Sequence, residues 1–265
     1  MSGHSKWAKI KRQKGVKDNK RGALFTKLAR NITMAASEGG GDPNMNFTLR
    51  LCIDKAKMAN MPLDNIERAL KKGTGELQAE VFHHVTYEAI TNYGISILID
   101  CATNNTNRTF SELRNIIENS GSKLGASGSV SWQFAEQGLI EVNVAKLKKS
   151  EKYGELDKYM PAKEEELELR LLDLPSIIDY EIYDSEEDEP VNKVISIRTE
   201  KTEVKKIAEI LNNEHWQVID SSVIKYPSNK IDLAEEQKEK LAKFIDELID
   251  RDDVDEVWHN CANFD

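Results

Sequence analysis

The spacing of apolar residues changes period near residue 80, and this change decides which kinds of fold the chain can adopt. Before it the period is that of a helix. Within 22–37, Leu24, Phe25, Leu28, Ile32 and Ala35 fall on one helical face, while Lys27 and Arg30 lie off the stripe and are expected to face water or a ligand. Gly39-Gly40-Gly41-Asp42-Pro43 breaks that helix. A second helix over 46–59 turns Leu49, Cys52, Ile53 and Ala56 inward. Pro62 opens a third, since the first helical turn has no use for its missing N–H. Ile66, Ala69 and Leu70 point inward there, and Gly73 and Gly75 close it. Three amphipathic helices can bury one another's stripes as a small bundle.

Beyond residue 80 the period falls to two. Strands are expected over 85–89 and 95–101, then a helix over 109–119 that Asn107 or Thr109 could cap. A glycine-rich loop follows at 121–128, and another strand at 129–134. From Gly138 a second unit reads strand 139–144, helix 164–172, strands 177–183 and 193–198, helix 203–213 and strand 218–225. This β-α-β-β-α-β order is the ferredoxin-like split. A last helix, 234–249, and strand, 255–258, have no local partners and are assigned to the sheet begun at residue 85. The expected fold class is therefore α+β and multidomain. It comprises a basic helical domain over 1–80, an α+β middle domain over 81–137 plus 228–265, and an acidic ferredoxin-like domain over 138–227 inserted in the middle one. A chain of 265 residues has room for two or three such domains.

Charge locates a partner. The whole chain carries −9, which would argue against nucleic acid, but residues 1–75 hold sixteen Lys and Arg against six Asp and Glu. The first thirty residues hold ten bases and one acid, Asp18. Such asymmetry marks a polyanion-binding segment on an acidic body. Lys6, Lys9, Lys11, Arg12, Lys14, Lys17, Lys20 and Arg21, with Lys27 and Arg30 further along, can neutralise phosphates and release counterions. Arg12, Arg21 and Arg30 could also make bidentate contacts. Trp7 has two readings: a base-stacking residue, worth about 1–3 kcal/mol, or an anchor holding the N-terminal arm on the helices. His4 reads as structural or as a phosphate contact. Arg108, near the N–H groups opening a helix, and Lys123, in the glycine-rich loop, are candidates for a second contact. Residues 151–190 hold fifteen acids and four bases. They read as a solvated helix face and hairpin loop, or as a patch that docks a basic partner such as a ribosomal protein or polymerase subunit.

Other classes find little footing. Cys52, Cys101 and Cys261 are widely spaced, without CxxC, and read as reduced thiols. No apolar run is long enough to cross a membrane. The first residues lack a signal-peptide core, so a cytoplasmic location is expected, with the mitochondrial matrix as the alternative. Neither GxxxxGK[ST] nor GxGxxG occurs, and neither HExxH nor GxSxG. His83 and His84 are adjacent on a strand and point to opposite faces. No catalytic residue, metal or cofactor is expected. Helix-turn-helix and zinc-finger spacings are also lacking, which weakens base-specific reading of a major groove.

Several motifs form an ordered set: Gly3-His4-Ser5-Lys6-Trp7, Lys20-Arg21-Gly22 with Asp18, Phe25-Thr26-Lys27-Leu28, and Gly40-Gly41-Asp42-Pro43. Asn60-Met61-Pro62, Arg68-Ala69, Lys72-Gly73, Asn107-Arg108-Thr109, Leu124-Gly125, Gly128-Ser129-Val130 and Val257-Trp258-His259-Asn260 continue it. In these motifs the chain resembles the YebC/PmpR family over about 2–134 and 228–260. The resemblance implies a helical domain and two α+β domains, with nucleic-acid contacts mainly in the basic helical one. It also implies a DNA-binding regulator of transcription or, in other members, a translation factor acting at the ribosome or on messenger RNA. Phosphate contacts look alike for both. A protein-binding scaffold and a hydrolase are the remaining classes. The chain departs from the family after Tyr87-Glu88, where a glycine-rich turn is usual, and over 145–175, which is longer and more polar.

Overall fold

The structure is a computed structural model that describes residues 18–78, 81–148, 158–184 and 193–264. Two compact units emerge. Of the described residues, one unit takes in 18–134 and 227–264, and the other 135–226.

The first unit begins with three helices: α1 (Asp18–Gly39), α2 (Phe47–Met58) and α3 (Leu63–Gly73). Their core is Ile32, Ala35, Ala36, Leu49, Ile53, Ala56, Met61, Ile66 and Ala69, with Phe25, Leu28, Cys52 and Leu70 packed around it. The expected stripe needs one correction. Leu24 is 37% exposed, because the buried face of α1 runs 25, 28, 29, 32, 35, 36 and leaves 24 on its flank. α1 stops where Gly40 turns to φ +85°, a left-handed conformation that suits a residue without a Cβ. Asn46 joins α1 to α2. Its side-chain oxygen caps the Leu49 N–H at 3.1 Å, and its amide donates to the carbonyls of Ala35 and Gly40 at 2.8 and 2.9 Å. α3 approaches α1 so closely that a Cβ on Gly73 would lie 2.4 Å from the Thr33 carbonyl oxygen.

Past these helices come β1 (His83–Ile90), β2 (Ser96–Thr103), α4 (Thr106–Asn119) and β3 (Lys123–Leu124). β1 and β2 form an antiparallel hairpin, from His83 opposite Thr103 to Ile90 opposite Ser96. Its turn reverses at Gly94, φ +83°, so Ala89 and Ile90, where the family motif departs, extend the strand. Asn105 caps α4 by accepting the Arg108 N–H, in place of the expected Asn107 or Thr109.

The strand expected over 129–134 does not form. Ser131–Gln133 is a single 3-10 turn, because the buried Glu88 carboxylate claims the N–H groups that a strand would pair. It accepts from Gly128, Val130 and Ser131 at 2.6, 2.6 and 3.0 Å. The glycine-rich loop thus does present backbone donors to an anion, and the anion is the protein's own.

The chain returns to this unit in α7 (Glu235–Ile249) and β9 (Val254–His259). β9 pairs antiparallel with β2, giving strand order β3-β1-β2-β9. α4 and α7 pack on each other and on this sheet through Leu113, Ile116, Ile117, Leu241, Phe244 and Ile245. Asp100 ties three strands: it accepts from Thr86 on β1 and from the Trp258 indole on β9.

In the second unit, β4 (Phe134–Lys148) extends at both ends the strand expected over 139–144. It is followed by β5 (Lys158–Pro161), α5 (Glu164–Leu172), β6 (Ile177–Asp184), β7 (Lys193–Glu200), α6 (Val204–Asn213) and β8 (Trp216–Pro227). β4 pairs antiparallel with β7, β7 with β6, and β8 also joins β4. Ile140, Val142, Leu167, Leu171, Ile195, Ile197, Leu211 and Trp216 are buried here. β5 adds a strand that the sequence reading lacked. All four of its residues are exposed, so no alternation marks it.

Gly73→Ala should destabilise the chain by about 1–3 kcal/mol, the usual cost of overpacking a tight contact, read from its denaturant midpoint. A second expectation concerns acid. Burial alone would raise the Glu88 pKa, but the three N–H donors outweigh it and hold the group below its ordinary value. Its stabilisation is present above the unfolded-state pKa and is lost as pH falls through the lower folded-state value. Glu88→Gln should therefore lower stability at neutral pH, and the gap to the parent should close in acid.

Candidate nucleic-acid interface

The residues expected to contact phosphate separate sharply in the structure. Lys6, Trp7, Lys9, Lys11, Arg12, Lys14 and Lys17 lie outside the described residues, as does His4. Lys20 and Arg21 fall in the first turn of α1. Lys27 and Arg30 follow on the same helix and do not face water. Arg30 is 6% exposed; it donates to the Asp252 carbonyl oxygen at 2.7 Å and forms an ion pair with Asp255. Lys27 donates to the Ile249 carbonyl oxygen. Burial, helped by the neighbouring Arg30, pulls the Lys27 pKa below its usual value, against the opposing pull of Asp255, Asp252 and Asp250. The two off-stripe cations are thus engaged inside the unit, where they fasten α1 to the turn between α7 and β9.

Next to this fastening lies a groove of about 640 Å³. One wall is α1, through Gly22, Phe25, Thr26 and Ala29. A second is α3, through Asn65, Arg68 and Lys72. Phe82, Asn104, Arg108, Asp252 and Asp253 complete the lining from the α+β part of the unit. Arg68, Lys72 and Arg108 are all exposed.

Asp253 sets the position of Arg108. The same carboxylate oxygen accepts from Arg108 at 2.8 Å, Thr103 at 3.0 Å and Thr109 at 2.6 Å. Burial works to raise the Asp253 pKa, but these three donors prevail and lower it, so the group is a carboxylate at neutral pH. Arg108 also reaches Asn104 at 3.2 Å. Lys123, the other candidate for a second contact, is exposed on β3. The rest of α4 lies between them in the chain, and Lys123 is not in the groove lining that holds Arg108. The structure does not bring them together.

Arg68 and Lys72 belong to the family motifs and are not among the contacts expected from sequence. The signal was present in the sequence, since both lie off the apolar stripe of α3 at i, i+4 spacing. Among the described residues no group of His, Cys, Asp or Glu is arranged to hold a metal ion, and no helix is long and apolar enough to cross a membrane.

The model of the TACO1/YebC protein N-terminal domain matches residues 5–76, and that of the TACO1/YebC second and third domain matches 82–261. The chain belongs to the TACO1/YebC family. The match covers the second unit as well, beyond the segments that carried the resemblance in sequence. Relatives in the TACO1/YebC family include a probable transcriptional regulatory protein of Borrelia garinii, 44% identical over 98% of this chain and 97% of that protein. Another, from Chlorobium luteolum, is 42% identical over 98% and 95%. The crystal structure of a conserved hypothetical protein from Aquifex aeolicus superposes with a TM-score of 0.75 at 35% identity, over 96% of each chain.

Removing one partner of a buried ion pair leaves the other charge uncompensated, at a cost of about 3–5 kcal/mol. Arg30→Met should lower the urea midpoint accordingly, and adding Asp255→Asn should recover part of the loss.

Proposed function

We propose that this chain regulates gene expression by binding DNA, with affinity supplied by the basic segment that leads into α1. The observation that carries the reading is the charge split: ten bases against one acid in the first thirty residues of a chain whose net charge is −9. A phosphate polyanion is the partner that such a segment attracts while the acidic remainder repels it. The relatives' names as probable transcriptional regulatory proteins support a regulatory role, and the family gives no reason to assign catalysis. Lys6, Lys9, Lys11, Arg12, Lys14, Lys17, Lys20 and Arg21 are the proposed contacts, with Trp7 beside them. Lys27 and Arg30 hold the helix that bears the segment.

The architecture fits that division of labour. We read 1–80 as the binding domain, 81–137 plus 228–265 as the body it is fastened to, and 138–227 as an inserted ferredoxin-like domain. The acidic side chains of that domain are suited to a basic protein partner, although Glu164 and Glu166 are paired with Lys193 and Lys146.

Replacing Lys9, Lys11, Arg12, Lys14, Lys20 and Arg21 together with Gln should abolish duplex binding and leave the thermal midpoint unchanged. Affinity that survives at low salt would remove the basic segment from the site. Crosslinking in cells, scored for DNA and RNA in parallel, tests the choice of nucleic acid. Enrichment of a few promoter regions supports the reading, whereas enrichment of ribosomal or messenger RNA replaces it with a translation factor.

A further inference from the structure

The groove beside Arg30 carries cations that the fold leaves available. Asn65, Arg68 and Lys72 follow at i, i+3 and i+7 on α3 and so share one face. Arg68 and Lys72 make no ion pair or side-chain hydrogen bond among the described residues. A cation at the last turn of α3 answers the helix dipole, which accounts for a base at Lys71 or Lys72 but not for Arg68 in mid-helix. Across the groove, Asp253 holds the Arg108 guanidinium at the lining while its side chain stays 47% exposed. Phe25 and Phe82 are half-buried in the same lining, with the Arg30 guanidinium 5.9 Å from the centre of the Phe82 ring.

We propose that this groove is a slot for single-stranded nucleic acid, in which Arg68, Lys72 and Arg108 receive phosphates and Phe25 and Phe82 border a base. The proposal rests on the reading of the chain as a nucleic-acid binder and adds to it a site and a preferred form of ligand. Three features favour one strand over a duplex. The volume of about 640 Å³ is that of a recess for a ligand of nucleotide size. The cations come from two elements, α3 and the start of α4, that line one recess, so a single backbone lying in it meets both. Aromatic residues in the lining offer stacking, which an unpaired base can use and a paired one cannot. Of the two acids in the lining, Asp253 is matched by Arg108, and Asp252 is exposed.

The test uses the full chain with a fluorescent twelve-nucleotide oligothymidylate and a duplex of mixed sequence, each titrated over a range of salt. The variant R68Q/K72Q alters two exposed side chains. Single-strand affinity should fall about tenfold, and its logarithmic salt slope should flatten by about 1.4, the value for two lost phosphate contacts. Duplex affinity should change by less than about threefold, as should both affinities in the charge-matched control K57Q/K71Q. The charge-keeping variant R68K/K72R should bind the single strand almost as the parent does, which separates lost contacts from a disturbed fold. Unchanged single-strand affinity in R68Q/K72Q would overturn the slot and leave the basic segment standing. Equal losses on strand and duplex would overturn it too, by reducing it to general attraction. Thymidine monophosphate bound as tightly as the oligomer would make the groove a mononucleotide site instead. A parent chain that bound neither probe at low salt would bring down the functional reading itself.

Discussion

Taking a guanidinium out of water costs several kcal/mol unless its donors and its charge are both answered, and at Arg30 the answer comes from far along the chain. One side-chain nitrogen reaches a backbone carbonyl at Asp252 and another the carboxylate of Asp255, while Nε has no partner among the described residues. The arrangement stays favourable only while α1, the turn before β9 and β9 itself hold their places. Lys27 adds a second anchor to the same turn. The groove depends on that fastening, because α1 and α3 form two of its walls and the turn bearing Asp252 and Asp253 forms another. Loosening α1 would open the site as well as the core.

Most helices and strands were legible because each buries one side. α5 was expected over 164–172 and occurs as Glu164–Leu172, since Leu167 and Leu171 are a helical turn apart with acids filling its first turn. α2 follows its stripe in the same way. Failures came where local pattern was overruled from a distance. Residues 129–134 alternate like a strand, yet Glu88, some forty residues earlier, takes the N–H groups of Val130 and Ser131. β5 escaped notice for the opposite reason: an edge segment with four exposed residues has no pattern to read.

The candidate site was legible in part. Charge counting singles out a segment without knowing which cations the fold will use. Lys27 and Arg30 looked like further members of the basic run because both lie off the apolar stripe. No local signal shows that another element will cover that flank of α1. Arg108 was noted for its place at a helix start, and the structure gives it a different context, as one wall of a groove positioned by Asp253. Arg68 and Lys72 were visible as off-stripe bases on α3, but their value depends on what stands opposite, and spacing within one helix carries no information about that.

The pairing of β9 with β2 has a consequence for the order in which the molecule assembles. β2 ends at Thr103 and its neighbour begins at Val254, so the first sheet has to wait while the intervening chain is made. At about 5–20 residues per second, synthesis of that stretch takes on the order of ten to thirty seconds. The unit over 135–226 is complete in sequence before this partner arrives and is free to fold during the delay. Arg30 spends the same interval without Asp255, a charge still in water on the flank of α1 that α2 and α3 leave uncovered. The three-helix core is therefore complete in sequence well before the turn and strand that fasten α1 to the sheet exist.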